Sequence, residues 1–271
     1  MIDDDFSEHR PRRERDAQTP SKWLPPEEYV EDEVNPNEGL PFARKWRMAV
    51  LGGSFDPVHL GHIRLARKVQ EQDWADEVLF VPAKRSPFKG EAMMDTGRRR
   101  MEMLDLAIQD ALAEKPAFSR LRPDGSTEER EYRLGVSDLE LQRPGKFSYT
   151  YDTLSLLRRV YPDVRILFLM GTDCLQDLKK WHNAGGLLKD FDFLIYPRAG
   201  VPAPNPVELV RSYGVLGAKL VRSILPPEGL PVWDISSTEV RKKIAGGKAL
   251  ADFLTPSVQK YVLDHKLYQE A

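Results

Sequence analysis

Gly52-Gly53-Ser54-Phe55-Asp56-Pro57-Val58-His59-Leu60-Gly61-His62 is the stretch whose reading decides the fold of this chain. Met48-Ala49-Val50-Leu51 precedes it, a short apolar run suited to a buried parallel strand. After it, Leu60, Ile63, Leu65, Ala66 and Val69 recur at helical spacing up to Trp74. The stretch therefore reads as a turn between a strand and a helix. Paired glycines let backbone approach a ligand closely, and a helix N-terminus offers unpaired N–H groups with about half a positive charge. That combination is an anion site, most naturally for phosphate. Two of only five histidines, His59 and His62, lie three residues apart at the helix start and so face one side. Two imidazoles aimed at phosphate can donate hydrogen bonds to charge developing on its oxygens. Gly61 between them is expected to leave room for the ligand.

Other readings of the stretch are weaker. A plain glycine turn with a capping Ser or Asp and two satisfied histidines explains each feature singly, but not their coincidence. A metal site on His59 and His62 needs further ligands, which no nearby Cys or His supplies. No G-x-x-x-x-G-K-[ST] loop occurs, and Gly246-Gly247-Lys248 follows a helix, as a C-cap does.

Outward from this turn, strand and helix patterns alternate. Val78–Val81, Val136–Leu141, Ile166–Met170, Phe191–Tyr196 and Lys219–Leu225 read as strands. Thr96–Ala113, Asp152–Val160, Leu175–Trp181, Ser236–Ala245 and Pro256–His265 read as helices. The alternation predicts an α/β fold with a doubly wound parallel sheet, whose ligands sit at the C-terminal strand ends where strand order reverses. Residues 119–134, with Pro123-Asp124-Gly125 as a turn, read as an exposed charged hairpin or loop. Arg98-Arg99-Arg100 reads as a helix face with one functional arginine, since no basic surplus extends from it.

A second phosphate motif lies about 180 residues downstream of the first. In Ile235-Ser236-Ser237-Thr238-Glu239-Val240-Arg241, three hydroxyl residues open a helix and Arg241 follows one turn later. Alone this is equally an N-cap with spare hydroxyls. Paired with the first motif, it makes a two-sided phosphate cradle.

Composition bounds the rest. The chain has 271 residues, 41% hydrophobic and 30% charged, enough for a sizeable core. Its net charge of −2 gives no case for nucleic-acid binding. That charge is uneven. Residues 1–46 hold 12 acidic and 7 basic residues, a balance of −5, with six of the 21 prolines and no apolar period. They are expected to be a flexible, disordered extension, with a docking peptide anchored by Trp23, Leu24, Tyr29 and Phe42 as the sharper alternative. Residues 47–271 carry 33 basic and 30 acidic residues, or +3, and are expected to form one catalytic domain. No apolar run is long enough to span a membrane, the acidic start lacks a secretory h-region, and Cys174 is the only cysteine. The expectation is a cytoplasmic protein without membrane or nucleic-acid partners and without an intramolecular disulfide.

The two motifs together resemble the HxGH nucleotidyltransferase superfamily and, within it, bacterial nicotinate-nucleotide adenylyltransferases. Arg100-Met101-Glu102-Met103-Leu104, Ser148-Tyr149-Thr150-Tyr151-Asp152-Thr153-Leu154 and Gly171-Thr172-Asp173 with Leu175 and Trp181 are similar to further motifs of that family. So is the loop from Pro82 to Lys89. The resemblance spans about residues 47–268. It implies a Rossmann-like nucleotidyltransferase fold and the reaction of nicotinate mononucleotide with ATP, giving deamido-NAD and pyrophosphate without a covalent intermediate. Such a transfer needs positioning and charge stabilisation more than a nucleophile.

Roles follow from the resemblance. His59, His62 and Arg241 act at the phosphates during transfer. Gly53, Ser54 and Phe55 supply loop contacts to ATP, Ser237 and Thr238 join Arg241 on the β- and γ-phosphates, and Lys89 contributes from its loop. Gly171 and Asp173 hold the adenosine ribose. Thr150 and Asp152 line the mononucleotide side, where an N-cap role is the plainer alternative. Trp181 stacks on the pyridine ring, against the alternative of a core tryptophan. Mg²⁺ is implied on phosphate oxygens and water, with no protein metal cage. A homo-oligomer is an open expectation. Phe88 stands where the family usually has a polar residue, which is expected to alter turnover or selectivity, and Tyr151 replaces a usual aliphatic. Adenylyl transfer to nicotinamide mononucleotide or to phosphopantetheine, and a non-catalytic nucleotide-binding protein, are the competing readings.

Overall fold

The structure is a computed structural model that describes residues 45–84, 96–122, 124–145, 147–227, 230 and 235–269. The expected extension, apart from Lys45 and Trp46, lies outside the described residues, as do Phe88 and Lys89. Chain order runs β1 (Arg47–Gly53), α1 (Leu60–Glu71), β2 (Glu77–Pro82), α2 (Gly97–Glu114), β3 (Ala117–Leu121), β4 (Thr127–Glu131), β5 (Leu134–Val136), α3 (Leu139–Gln142), α4 (Thr150–Val160) and β6 (Arg165–Gly171). Two 3₁₀ turns follow, Thr172–Leu175 and Leu178–Lys180. Then come α5 (Ala184–Asp190), β7 (Asp192–Tyr196), α6 (Pro206–Tyr213), α7 (Val215–Arg222), α8 (Ser237–Ala245) and α9 (Pro256–Asp264).

Five of the strands form one parallel sheet in the order β5-β2-β1-β6-β7. The order runs outward from β1 through β2 to β5, then reverses to β6 and β7. The switch point therefore lies between β1 and β6, and a crevice opens there beyond the C-terminal strand ends. Gly53 ends β1 and Gly171 ends β6, so the first histidine motif and Asp173 leave the sheet on either side of that crevice.

Side chains alternate across the sheet, so every central strand feeds two cores. Ala49, Leu51, Val78, Phe80, Leu167 and Leu169 face one side, where Ile63, Val69, Leu104, Ile108, Val240 and Val258 cover them. Met48, Val50, Leu79, Val81, Phe168 and Met170 face the other, covered by Leu154, Leu157, Leu178, Leu187 and Leu220. This is the doubly wound arrangement. Trp46 already belongs to the body: its carbonyl accepts from Arg165 N–H at 2.7 Å and its indole N–H donates to Glu77 at 3.2 Å. No helix among the described residues is long and apolar enough to cross a membrane.

Three element readings are corrected. The strand expected over Val136–Leu141 ends at Val136, because the Ser137 hydroxyl accepts from Leu139 N–H at 3.3 Å and starts α3. Lys219–Leu225 is the end of α7 plus a single bridge between Ile224 and Ile195. Gly217 permits the close packing of α7 on α6, since a Cβ there would collide with the Leu209 carbonyl. That close approach makes α6 and α7 a helical pair. Leu175–Trp181 holds the last residue of the first 3₁₀ turn and all of the second, instead of an α-helix. The charged segment 119–134 is a hairpin, β3 antiparallel to β4, with Asp124 accepting from Ser126 N–H at 2.8 Å in the turn.

Candidate active site

The loop between β1 and α1 is built from its own side chains. Phe55 takes a left-handed backbone (φ 48°), which costs a non-glycine residue about 1 kcal/mol or more. Burial of its ring holds it there. The ring is 1% exposed and lies edge-on to His62 and Phe80, with centroids at 5.0 and 5.7 Å. Gly53 is required by the same ring, since a Cβ would lie 3.0 Å from it.

His59 is the N-cap residue of α1, and its N–H donates to His62 Nδ1 at 3.2 Å. The acceptor role leaves the proton of a neutral His62 on Nε2. The two imidazoles stack with centroids 3.7 Å apart. His59 is 6% exposed, and burial first, then the charge of Arg198, lowers its pKa to about 3. It is a neutral imidazole across the physiological range. Gly61, expected to make room for a ligand, first makes room for His59: its missing Cβ would sit 3.0 Å from His59 Nδ1.

The N-terminus of α8 joins this loop from the other side. Ser236 caps it, its hydroxyl accepting from Glu239 N–H at 3.2 Å. The Ser237 hydroxyl donates to the Pro57 carbonyl at 2.9 Å, and Arg241 donates to the Asp56 carbonyl at 2.6 Å and to the Thr238 hydroxyl at 3.3 Å. Ser237 is therefore a strut between the two motifs. Below them, the Asp56 carboxylate, 1% exposed, accepts from the Tyr268 hydroxyl at 2.7 Å.

A cavity of about 290 Å³ opens at the crevice, lined by His59, Gly61, His62, Tyr196, Arg198 and Ser236 among others. Asp173 stands at its β6 side, with Arg198 Nε 3.5 Å from its carboxylate. Gly171 is needed so that this carboxylate can fold back, because a Cβ would collide with it. Tyr196, at the end of β7, is pushed up to about 12 by burial and stays a neutral phenol. Sequence reading missed Tyr196 and Arg198. Their signal was position: Tyr196 ends a parallel strand and Arg198 follows it.

The remaining expected residues gather at the start of α4. Tyr149 is the N-cap, so neither Thr150 nor Asp152 caps the helix. Asp152 lies 3.3 Å from Arg143 and 4.0 Å from His182, and His182 packs on Tyr149 at 4.4 Å. Trp181, next to His182, sits half-buried with its ring edge-on to Phe168 at 5.9 Å, so a packing role is present there. Glu140 supports the segment: buried, it accepts from the Thr153 hydroxyl at 2.7 Å, and burial pushes its carboxyl up.

The cytidylyltransferase-like family model matches residues 50–243, which include both halves of the cradle. A "Probable nicotinate-nucleotide adenylyltransferase" of Clostridium botulinum is 31% identical over 221 residues, 82% of this chain and 98% of the relative. The chain belongs to the nicotinate-nucleotide adenylyltransferase family, within the cytidylyltransferase-like proteins. As a member of the nicotinate-nucleotide adenylyltransferase family it is an enzyme, a nucleotidyltransferase. A second family member, from Clostridium tetani, is 27% identical over 223 residues, 82% of this chain and 99% of the relative. The fold of the family is matched too. The Plasmodium falciparum nicotinic acid mononucleotide adenylyltransferase solved with NaAD superposes with a TM-score of 0.59 at 19% identity, covering 83% of this chain and 98% of that one.

Proposed function

We propose that this enzyme moves AMP from ATP to nicotinate mononucleotide, yielding deamido-NAD and pyrophosphate in NAD biosynthesis. One observation carries the reading: two stacked imidazoles at one helix N-terminus share a cavity with the capped N-terminus of a second helix, at the sheet's switch point. Family membership supplies the acceptor, through relatives named for nicotinate nucleotide.

In this mechanism a phosphate oxygen of the mononucleotide attacks the α-phosphorus of ATP. The bond from that phosphorus to the bridging oxygen breaks, and pyrophosphate leaves with the electron pair. His62 donates Nε2–H to a non-bridging α-phosphate oxygen, and His59 fixes His62 by stacking its neutral ring and by its backbone N–H. Gly53, Ser54 and Phe55 present loop backbone to the phosphates. The first-turn N–H groups of α8 at Ser237 and Thr238, with Arg241, take the β- and γ-phosphates. Asp173 holds the adenosine ribose beside Gly171. Thr150, Asp152 and Trp181 form the mononucleotide side, and Lys89 would approach from the loop after β2.

Mg²⁺ fits as a companion of ATP. Among the described residues no group of three or more His, Cys, Asp or Glu could cage a metal ion, and the carboxylate of Asp56 in the loop accepts from Tyr268. Bound to phosphate oxygens and water, the ion would neutralise charge on the leaving pyrophosphate.

The deciding experiment incubates purified protein with ATP, Mg²⁺ and either nicotinate or nicotinamide mononucleotide, and follows dinucleotide and pyrophosphate together. Deamido-NAD forming at least tenfold faster than NAD is expected. Faster NAD formation would move the specificity to the amide, and no dinucleotide from either acceptor would overturn the reading.

A further inference from the structure

Arg100 is 1% exposed and among the largest fully buried side chains. It sits in the first turn of α2 and its guanidinium reaches two strand ends. Nη1 donates to the Ser54 carbonyl at 2.6 Å, and Nη2 donates to the Ala83 carbonyl at 2.9 Å. These carbonyls lie where the ladder between β1 and β2 stops. The ladder runs in register to Gly53 and Pro82, and Ala83 N–H donates to the Gly53 carbonyl at 2.8 Å. Beyond that point β1 turns into the loop and the strands part, and the planar fork of Arg100 takes over from the ladder.

The consequence lies in the Ser54–Phe55 peptide. A trans peptide is planar, with C=O and N–H pointing in opposite directions. Drawing the Ser54 carbonyl back to Arg100 turns the Phe55 N–H to the opposite side of the peptide, away from Arg100. The same contact sets a full positive charge directly behind that peptide, in a buried place where charge is poorly screened.

We propose that Arg100 is the positioning residue of the phosphate loop: it aims the Phe55 N–H at the ATP phosphates by holding the Ser54 carbonyl from behind. The proposal rests on the reading of this loop as the ATP cradle. A lysine cannot replace Arg100, because one ammonium on a flexible stem does not reproduce a planar fork spanning two carbonyls.

The test uses the full chain carrying Arg100→Lys or Arg100→Met. Melting temperature, ATP affinity by calorimetry without acceptor, and kcat and KM for both substrates are measured. Arg100→Lys is expected to fold, to bind ATP at least tenfold more weakly and to lose at least tenfold in kcat. Its KM for the mononucleotide stays within threefold. A folded Arg100→Lys enzyme with ATP affinity and kcat within twofold of the parent overturns the proposal. So does a lower melting temperature with unchanged ATP affinity, which a merely structural residue would give. Should Arg100→Met fail to fold, Arg100→Lys decides. ATP affinity is read without turnover, so an error in the assigned acceptor leaves this test intact.

Discussion

His59 and His62 divide one task between them, and their surroundings decide how. His62 lines the cavity, and its Nδ1 accepts from the His59 backbone N–H, which leaves the proton of the neutral ring on Nε2, while His59 is buried against it. His62→Ala should lower kcat by about 10²–10³, the scale of a lost oxyanion donor. A loss below tenfold in steady-state assays would remove it from the mechanism. His59 makes a pH prediction. Its pKa is lowered in the native state to about 3 from 6.5, so the unfolded chain takes up this proton first as pH falls. The stability His59 confers is complete above pH 6.5 and declines below it, by up to about 1.4 kcal/mol per pH unit, until the native group itself protonates near 3. Denaturant melts of the parent and His59→Asn between pH 7 and 4.5 should show a shallower slope in the variant. A native His59 proton resonance titrating above pH 5.5 would contradict the assignment.

At the scale of elements, the cradle is a joint between parts distant in sequence. Ser237 of α8 fastens Pro57, Arg241 fastens Asp56, and Tyr268 beyond α9 fastens the Asp56 carboxylate. Tyr268→Phe removes a buried donor from a carboxylate, worth about 1.5–3 kcal/mol. The melting temperature should fall by about 3–12 °C, given roughly 2–4 °C per kcal/mol for a body of this size. Several-fold loss of kcat should accompany it; a variant matching its parent in both would show the clamp to be idle. The readable elements were those with local signals. Met48–Leu51 and Ile166–Met170 are continuous apolar runs between turn residues, and a strand buried on both faces has no other pattern. Lys219–Leu225 misleads for the opposite reason. Its apolar, partly β-branched residues suit either state, and the approach of α7 to α6 at Gly217 selects the helix.

For the whole molecule, the described residues fill both cores from Met48 onward, and Trp46 is bonded to Arg165 and Glu77. Deleting residues 1–40 should leave the melting temperature within about 2 °C and kcat within twofold, since their sequence carries no apolar period. Loss of solubility or of more than about 5 °C, measured by calorimetry on the truncated enzyme, would show that the segment packs on the body.

The sequence by itself determined the alternation of strands and helices, and with it the parallel sheet. It also determined the two phosphate motifs at 52–62 and 235–241, because glycine turns, helix caps and paired histidines are local chemistry. Tertiary structure alone decided how those residues contact one another. Ser237 proved a strut, Gly61 a space for His59, and Thr150 no cap. Tyr196, Arg198 and Tyr268 joined the site from positions far along the chain, and the arginine expected within Arg98–Arg100 proved to be Arg100, bonded to the Ser54 carbonyl. A hydrogen bond between residues more than 200 apart leaves no period or spacing in the sequence. It exists only once the strand order of the sheet has set the two segments side by side.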